Sequence, residues 1–197
     1  MSIRKWMVRG LLIAAVFAGL QSGAFAQGKR KVIIDQDCAG PGGTDMQAIL
    51  ALINSPQTEV LGITVLTGDA WRDEEVQHTL RLLEIIGRTD IPVVPGAVFP
   101  LVNGKEYIAK WETLYGKVVY QGAWNYAKGY AVHGPYDIPP MREGAPTTKA
   151  STEDAARFMV RMVRQYPQEV TIYAAGPMTD LALALALDPH FAENTKD

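Results

Sequence analysis

Four short apolar segments alternate with stretches of helical periodicity, and this alternation most narrows what the chain can fold into. Each segment is apolar at consecutive positions, which is typical of strands buried on both faces. Strands alternating with helices predict an α/β fold built on a mostly parallel sheet. The predicted strands are residues 31–35, 60–66, 91–94 and 170–174, and the predicted helices are residues 45–53, 74–86, 151–166 and 178–187.

The polar residues that follow these strands should meet at one edge of the sheet. An open, Rossmann-like parallel sheet with helices on both faces binds its ligands at the carboxyl ends of its strands. Five residues of this sequence stand at or just after such ends, namely Asp35, Asp37, Thr67, Asp69 and Gly176. We therefore expect them to form one site.

The first 26 residues have the pattern of a secretory signal peptide. A basic start is followed by the apolar run at residues 10–20 and by Ala24-Phe25-Ala26, which fits a small-x-small cleavage site. The run is shorter than the roughly 20 apolar residues that a spanning helix needs. We expect cleavage after Ala26 and export to the periplasm or the extracellular space. An uncleaved N-terminal anchor is the alternative.

Charge and cysteine usage exclude several classes of protein. The net charge of −2 becomes −5 once Arg4, Lys5 and Arg9 leave with the signal. A nucleic-acid-binding protein needs a basic face, so this balance argues against one. Cys38 is the one cysteine of the sequence, which rules out an internal disulfide framework and any zinc site with several cysteines.

Residues 27–197 are predicted to form one domain interrupted by an aromatic-rich insert at about residues 104–149. The insert contains six of the eight tyrosines together with Trp111 and Trp124. A segment this long without clear periodicity exceeds a simple connection. It is either a lid beside the site, stacking a nucleobase on Trp111 and Trp124, or an aromatic cap that packs on the body and binds nothing.

The loop after the first strand concentrates negative charge. Asp35, Asp37 and Asp45 lie within eleven residues that also hold three glycines and a proline. Converging carboxylates repel one another unless a cation or shared protons compensate. Ca²⁺ suits such a loop because it takes about 6–8 oxygen ligands, including carbonyls and water. Helix capping by Thr44 or Asp45, with solvated charges elsewhere, is the alternative interpretation.

Four blocks of sequence carry a specific pattern. Residues 35–45 open with Asp-Gln-Asp and close with Thr-Asp, residues 60–69 end in Thr-Gly-Asp, and residues 170–182 contain Gly-Pro-Met-Thr-Asp. Residues 90–97 read Asp-Ile-Pro-Val-Val-Pro-Gly-Ala. Together these blocks resemble the inosine/uridine-preferring nucleoside hydrolase family, with its Asp-x-Asp-Pro-Gly-x-Asp-Asp motif and Gly-Pro-Leu-Thr-Asn signature. The resemblance covers residues 31–101 and 151–197 in order.

The resemblance implies hydrolysis of the N-glycosidic bond of ribonucleosides by an enzyme that binds Ca²⁺. Asp37 matches the aspartate that acts as general base and metal ligand, and Asp35 matches its supporting neighbour. Asp45 and the backbone carbonyl of Ala175 match further Ca²⁺ ligands. The implied partner is a small ribonucleoside, with no nucleic acid and no membrane after signal cleavage. Related enzymes commonly associate, so a homo-oligomer is possible, and the sequence leaves the oligomeric state open.

The ribose-contacting positions depart from the family pattern. Thr44 stands where an Asp holds a ribose hydroxyl, and Asp69 stands where an Asn contacts ribose. Asp180 also replaces an Asn, and three extra residues separate Asp37 from Asp45. An Asp in place of a ribose-binding Asn loses an amide donor and adds charge near the metal.

The resemblance reaches residue 197 at about the point where the family's next core strand would start. The family's later half supplies another metal-ligating Asp and a neighbouring His. We therefore expect these residues to be the N-terminal part of a longer enzyme. The alternatives are that a partner supplies the rest of the site or that this stretch alone is inactive. His133 could reach a leaving base, whereas a surface or packing role suits His78.

Two other classes of function remain open from the residues alone. A non-catalytic relative would bind a nucleoside or sugar without cleaving it. A phosphatase of the haloacid dehalogenase type would also place an Asp-x-Asp motif after a strand. That motif expects Thr or Val at the position of Ala39, and it leaves Gly176-Pro177 unexplained, so the phosphatase is disfavoured.

Overall fold

A computed structural model describes residues 28–40, 42–124 and 133–197. The predicted signal peptide therefore lies outside the described residues. Within them, no helix is long and apolar enough to cross a lipid bilayer.

The sheet has four parallel strands in the order β3-β2-β1-β4. The strands are β1 (Arg30–Gln36), β2 (Thr58–Val65), β3 (Val93–Pro95) and β4 (Val170–Ala174). β1 lies between β2 and β4, and Asp35 is in register with Thr64 on one side and Ala174 on the other. All four predicted strands are present, so the α/β expectation is confirmed.

Helices cover both faces of this sheet, as its apolar strands require. They are α1 (Thr44–Asn54), α2 (Arg72–Ile85), α3 (Lys105–Tyr115), α4 (Ala155–Gln165), α5 (Thr179–Leu187) and α6 (Phe191–Asn194). Alternate residues of β1 point to opposite sides. Val32 and Ile34 pack in the core with α1 and α2, whereas Ile33 packs in a second core with α4 and α5.

The ends of two helices test the predicted start and stop signals. Gly87 follows α2 with a positive φ of 68°, and the N–H of Arg88 bonds the carbonyl of Leu83 at 2.8 Å. Glycine is favoured at this position because its backbone is left-handed. The predicted cap at Ser151 is wrong, because α4 begins after Asp154, whose side chain accepts the N–H of Arg157 at 3.0 Å.

Glu84 of α2 anchors the end of the insert to the body. Its Oε1 atom accepts the N–H and the hydroxyl of Thr147 at 2.6 and 2.9 Å, and those of Thr148 at 2.7 and 3.0 Å. Arg81 donates to the other oxygen at 3.1 Å. Hydrogen bonds from Thr148 and Thr147 hold the pKa of Glu84 at about 2, below its usual value.

Replacing Glu84 with Gln should lower the melting temperature at pH 7, because the charged acceptor of these bonds is lost. The stability that Glu84 contributes is present above the unfolded pKa of 4.5 and is lost as the pH falls towards about 2. The difference in melting temperature between wild type and Glu84→Gln should therefore shrink over that window. Glu59→Gln, at an exposed position of β2, is the control. A difference that is constant with pH would contradict the prediction.

Candidate functional site

The carboxyl ends of the strands meet around one cavity of about 590 Å³. Asp37 enters it directly after β1, the turn at residues 67–69 enters after β2, and Ala97 enters after β3. Residues 177–179 reach it from the segment that follows β4. The predicted clustering is thus observed, because parallel strands end at the same edge of a sheet.

Asp37 is held between two glycines at the wall of this cavity. A Cβ atom on Gly68 would overlap Asp37 Oδ2, and one on Gly176 would lie 2.9 Å from Oδ1. The side chain is 9% exposed. Burial raises the pKa of Asp37 to about 7, and the charges of Asp69 and Asp45 add to this effect.

Asp35 is fully buried behind Asp37 and shapes the end of the central strand. Its Oδ1 atom accepts the hydroxyl of Thr64 at 2.6 Å, and its backbone carbonyl accepts the N–H of Ala175 at 3.0 Å. Its Oδ2 atom has no hydrogen-bond partner among the described residues. Burial, followed by the charge of Asp180, raises the pKa of Asp35 to about 8.

The remaining predicted residues lie on the elements that surround Asp37. Asp45 is half-buried in the first turn of α1, and burial followed by the charge of Asp69 raises its pKa. Asp69 lines the cavity and accepts the hydroxyl of Tyr120 at 2.8 Å. Thr44 begins α1, but its side chain lies outside the described part of the chain.

The donors around Asp37 suit a hard cation better than a soft one. Across the described residues, no group of three or more His, Cys, Asp and Glu side chains converges as a metal centre. A cation here would therefore need backbone oxygens, and Ala175 follows β4 directly, beside Gly176 and the Asp37 carboxylate. The charges of Asp69 and Asp45 raise the cost of ionising Asp37, and the charge of Asp69 raises the cost of ionising Asp45, which a bound cation would relieve.

Comparison with known proteins decides the family. The model of the inosine-uridine preferring nucleoside hydrolase family matches residues 32–197. The chain belongs to this family. The resemblance of the acidic loop and of the Gly176-Pro177 segment is thereby confirmed.

Individual nucleoside hydrolases agree in sequence and in fold. Uridine nucleosidase 1 of Arabidopsis thaliana is 34% identical over 178 residues, which are 90% of this chain and 46% of that protein. The plant nucleoside hydrolase PpNRh1 superposes with a TM-score of 0.61 at 29% identity, covering 85% of this chain and 46% of that one. An inosine-guanosine nucleoside hydrolase gives 0.60 at 28%, covering 85% and 44%. The chain thus spans a little under half the length of these relatives.

Sequence reasoning missed a buried acid on the helix that supports the turn beside this cavity. Glu75 of α2 is fully buried and accepts the N–H of Ala70 at 2.5 Å, which shapes the turn after β2. Burial raises its pKa well above the usual value. The sequence feature that could have indicated its burial is its position four residues before Thr79 and eight before Leu83, on the buried face of the helix.

His78 and His133 hold the scaffold together. His78 is buried and packs under the acidic loop, where a Cβ atom on Gly40 would lie 2.7 Å from its ring. Its Nδ1 atom bonds the carboxylate of Glu143, so the expected packing role is the one observed. His133 bonds Glu74 of α2 at 2.9 Å through Nε2.

The insert contributes part of the cavity wall and part of the outer surface. Tyr120 and Trp124 line the cavity, whereas Trp111 packs on Tyr115 with ring centroids 5.1 Å apart. The expectation of a lid beside the site therefore fits residues 118–124, and Trp111 belongs to α3, a helix that the sequence pattern did not predict. Tyr126 and Tyr130 lie outside the described residues.

Replacing Gly68 with Ala should displace the Asp37 carboxylate, because the added methyl group would occupy the place of Oδ2. Overpacking of this kind destabilises a folded protein by about 1–3 kcal/mol. We expect a melting temperature below that of the wild type, measured on the purified protein. Gly104→Ala, which places a methyl group in open space, is the matched control. Equal melting temperatures of the two variants would contradict this placement of Asp37.

Proposed function

We propose that this cavity is the site of a Ca²⁺-dependent hydrolase that cleaves the N-glycosidic bond of ribonucleosides and releases base and ribose. The observation that carries the proposal is the buried Asp37 carboxylate, held between Gly68 and Gly176 in the wall of the cavity. A cavity of about 590 Å³ lies within the range of small-molecule sites. Membership of the nucleoside hydrolase family supports the assignment.

Asp37 is the general base of the proposed reaction. Water attacks the anomeric carbon as the bond to the base breaks, through a transition state that resembles an oxocarbenium ion. The carboxylate oxygens of Asp37 lie next to glycines, so no neighbouring side chain at these positions blocks a water molecule. Burial makes Asp37 a stronger base than an exposed carboxylate, and it accepts the proton of the attacking water.

Asp37, Asp45 and the backbone carbonyl of Ala175 would hold the Ca²⁺ ion. When bound, Ca²⁺ supplies a lowered pKa for the attacking water and an anchor for ribose hydroxyls. Asp35 supports this arrangement from behind, since its bonds to Thr64 and Ala175 fix the ends of β2 and β4 relative to β1.

Ribose and base would occupy different parts of the cavity. Asp69, which lines the cavity, accepts a ribose hydroxyl, and Thr44 at the start of α1 is assigned to ribose as well. The apolar lining of the cavity suits a planar leaving base, because burying its rings excludes water from the reacting bond. This lining includes Phe99, Leu101, Ile108, Val118, Trp124 and Met178.

Replacing Asp37 with Ala should lower kcat/KM for uridine by about 10²–10⁴-fold, because the general base is removed. Uridine is the substrate to use first, since the Arabidopsis relative is a uridine nucleosidase. Released uracil is the readout, and Asp90→Ala, at an exposed ion pair, is the control. Uridine binding by the wild type without any turnover would replace hydrolysis with the binding function. Phosphate release from a uridine nucleotide would instead favour the phosphatase.

Ca²⁺ should raise the melting temperature of the wild-type protein, because a ligand that binds only the folded state stabilises it. The rise should be smaller in Asp45→Asn, because this variant lacks one charged oxygen ligand. In the control Asp90→Asn, the rise should equal that of the wild type. Hydrolysis should stop when a chelator is added and return with Ca²⁺. The same Ca²⁺-induced rise in wild type and Asp45→Asn would exclude Asp45 as a ligand.

A further inference from the structure

Residues 118–124 of the insert, here termed the strap, lie directly against the turn that follows β2. The N–H of Ala123 donates to the carbonyl of Gly68 at 2.9 Å. Gly122 has a φ of 54°, and a Cβ atom there would overlap the same carbonyl oxygen. Gly68 therefore has the strap on one side and the Asp37 carboxylate on the other.

The strap also bonds the side chain that is proposed to hold ribose. The hydroxyl of Tyr120 donates to Asp69 Oδ1 at 2.8 Å, and both residues line the cavity. Burial and this hydrogen bond raise the pKa of Tyr120, so the phenol remains a donor across the physiological range. The bond joins residues 51 positions apart in the sequence.

A buried acid fixes the path by which the strap reaches the site. Glu112 of α3 accepts a hydrogen bond from the ammonium group of Lys117 at 2.6 Å and another from the N–H of Val118 at 3.0 Å. The side-chain amide of Gln121 donates to the same carboxylate at 2.8 Å. The chain therefore approaches Tyr120 along a defined course.

The turn itself is held from its other side by α2. Glu75 accepts the N–H of Ala70, and the hydroxyl of Thr67 accepts the N–H of Arg72 at 3.0 Å. With these contacts and those of the strap, the backbone around Asp69 is fixed on two sides. The rotation of the Asp69 carboxylate is then limited by its hydrogen bond to Tyr120.

We propose that Tyr120 is a positioning residue for ribonucleoside binding, acting through Asp69. Its hydroxyl donates a hydrogen bond to Oδ1 of Asp69, which leaves Oδ2 to accept a hydrogen bond from a hydroxyl group of the substrate. This inference rests on the proposed function, because it concerns the same cavity. It goes further in assigning to Tyr120 the orientation of the carboxylate that holds ribose.

The test is a double-mutant cycle of Tyr120→Phe and Asp69→Ala, with the dissociation constant of uridine and the KM measured on the full protein. Hydrogen bonds to charged groups contribute roughly tenfold or more to binding. Tyr120→Phe should raise both constants roughly tenfold and leave kcat within about threefold, since Asp37 is untouched. In the Asp69→Ala background, Tyr120→Phe should raise the dissociation constant and the KM by less than about twofold.

Tyr136→Phe is the control, because Tyr136 belongs to the insert and is 64% exposed. Hydrogen exchange of the strap adds a readout that does not depend on activity. Exchange should rise in Tyr120→Phe and stay at the wild-type rate in Tyr136→Phe, with melting temperatures unchanged.

Three results would overturn the inference while leaving nucleoside hydrolysis intact. They are unchanged uridine affinity in Tyr120→Phe, a full tenfold effect of that variant in the Asp69→Ala background, and unchanged exchange of the strap. Absence of both uridine binding and uridine hydrolysis in the wild type would instead overturn the proposed function, together with the inference that rests on it.

Discussion

The parallel pairing of β1 with strands on both of its sides is the constraint on which the rest of the structure depends. Its register places Asp35 between Thr64 and Ala174, and it brings the segments after β2 and β4 to the two sides of Asp37. Parallel pairing in turn requires the helices that cross over between the strands. These helices bury the apolar residues of β1 on both faces. This burial fixes the position of the strand in the sheet and therefore the place where its carboxyl end lies.

Crowded carboxylates dominate the electrostatics of this edge. Asp35 and Asp37 both have raised pKa values because burial and neighbouring acids disfavour a second negative charge. Hydrogen bonds compensate the burial of these carboxylates only in part, since Asp35 Oδ2 has no hydrogen-bond partner among the described residues. Such a concentration of buried acid is unfavourable for folding and is typical of functional sites.

Local pattern was enough to predict the sheet and the clustering of the site, because both follow from where apolar segments end. The Arg30–Gln36 and Val170–Ala174 strands needed no tertiary information. The start of α4 was misplaced because Ser151 and Asp154 are both good caps and their choice depends on packing. The bond between Tyr120 and Asp69 could not be predicted, since it depends on how a 46-residue insert without apolar periodicity folds back on the body.

The contact of Gly122 with the carbonyl of Gly68 makes the joint between insert and core intolerant of gradual change. A side chain at Gly122 would begin where the Gly68 carbonyl lies and would separate the two parts, whereas a side chain at Gly68 would displace Asp37 within the core. Sequence drift elsewhere in the insert can alter its outer surface freely, whereas this one contact persists or is lost as a unit. Over evolution, the joint would therefore keep the insert attached to the core.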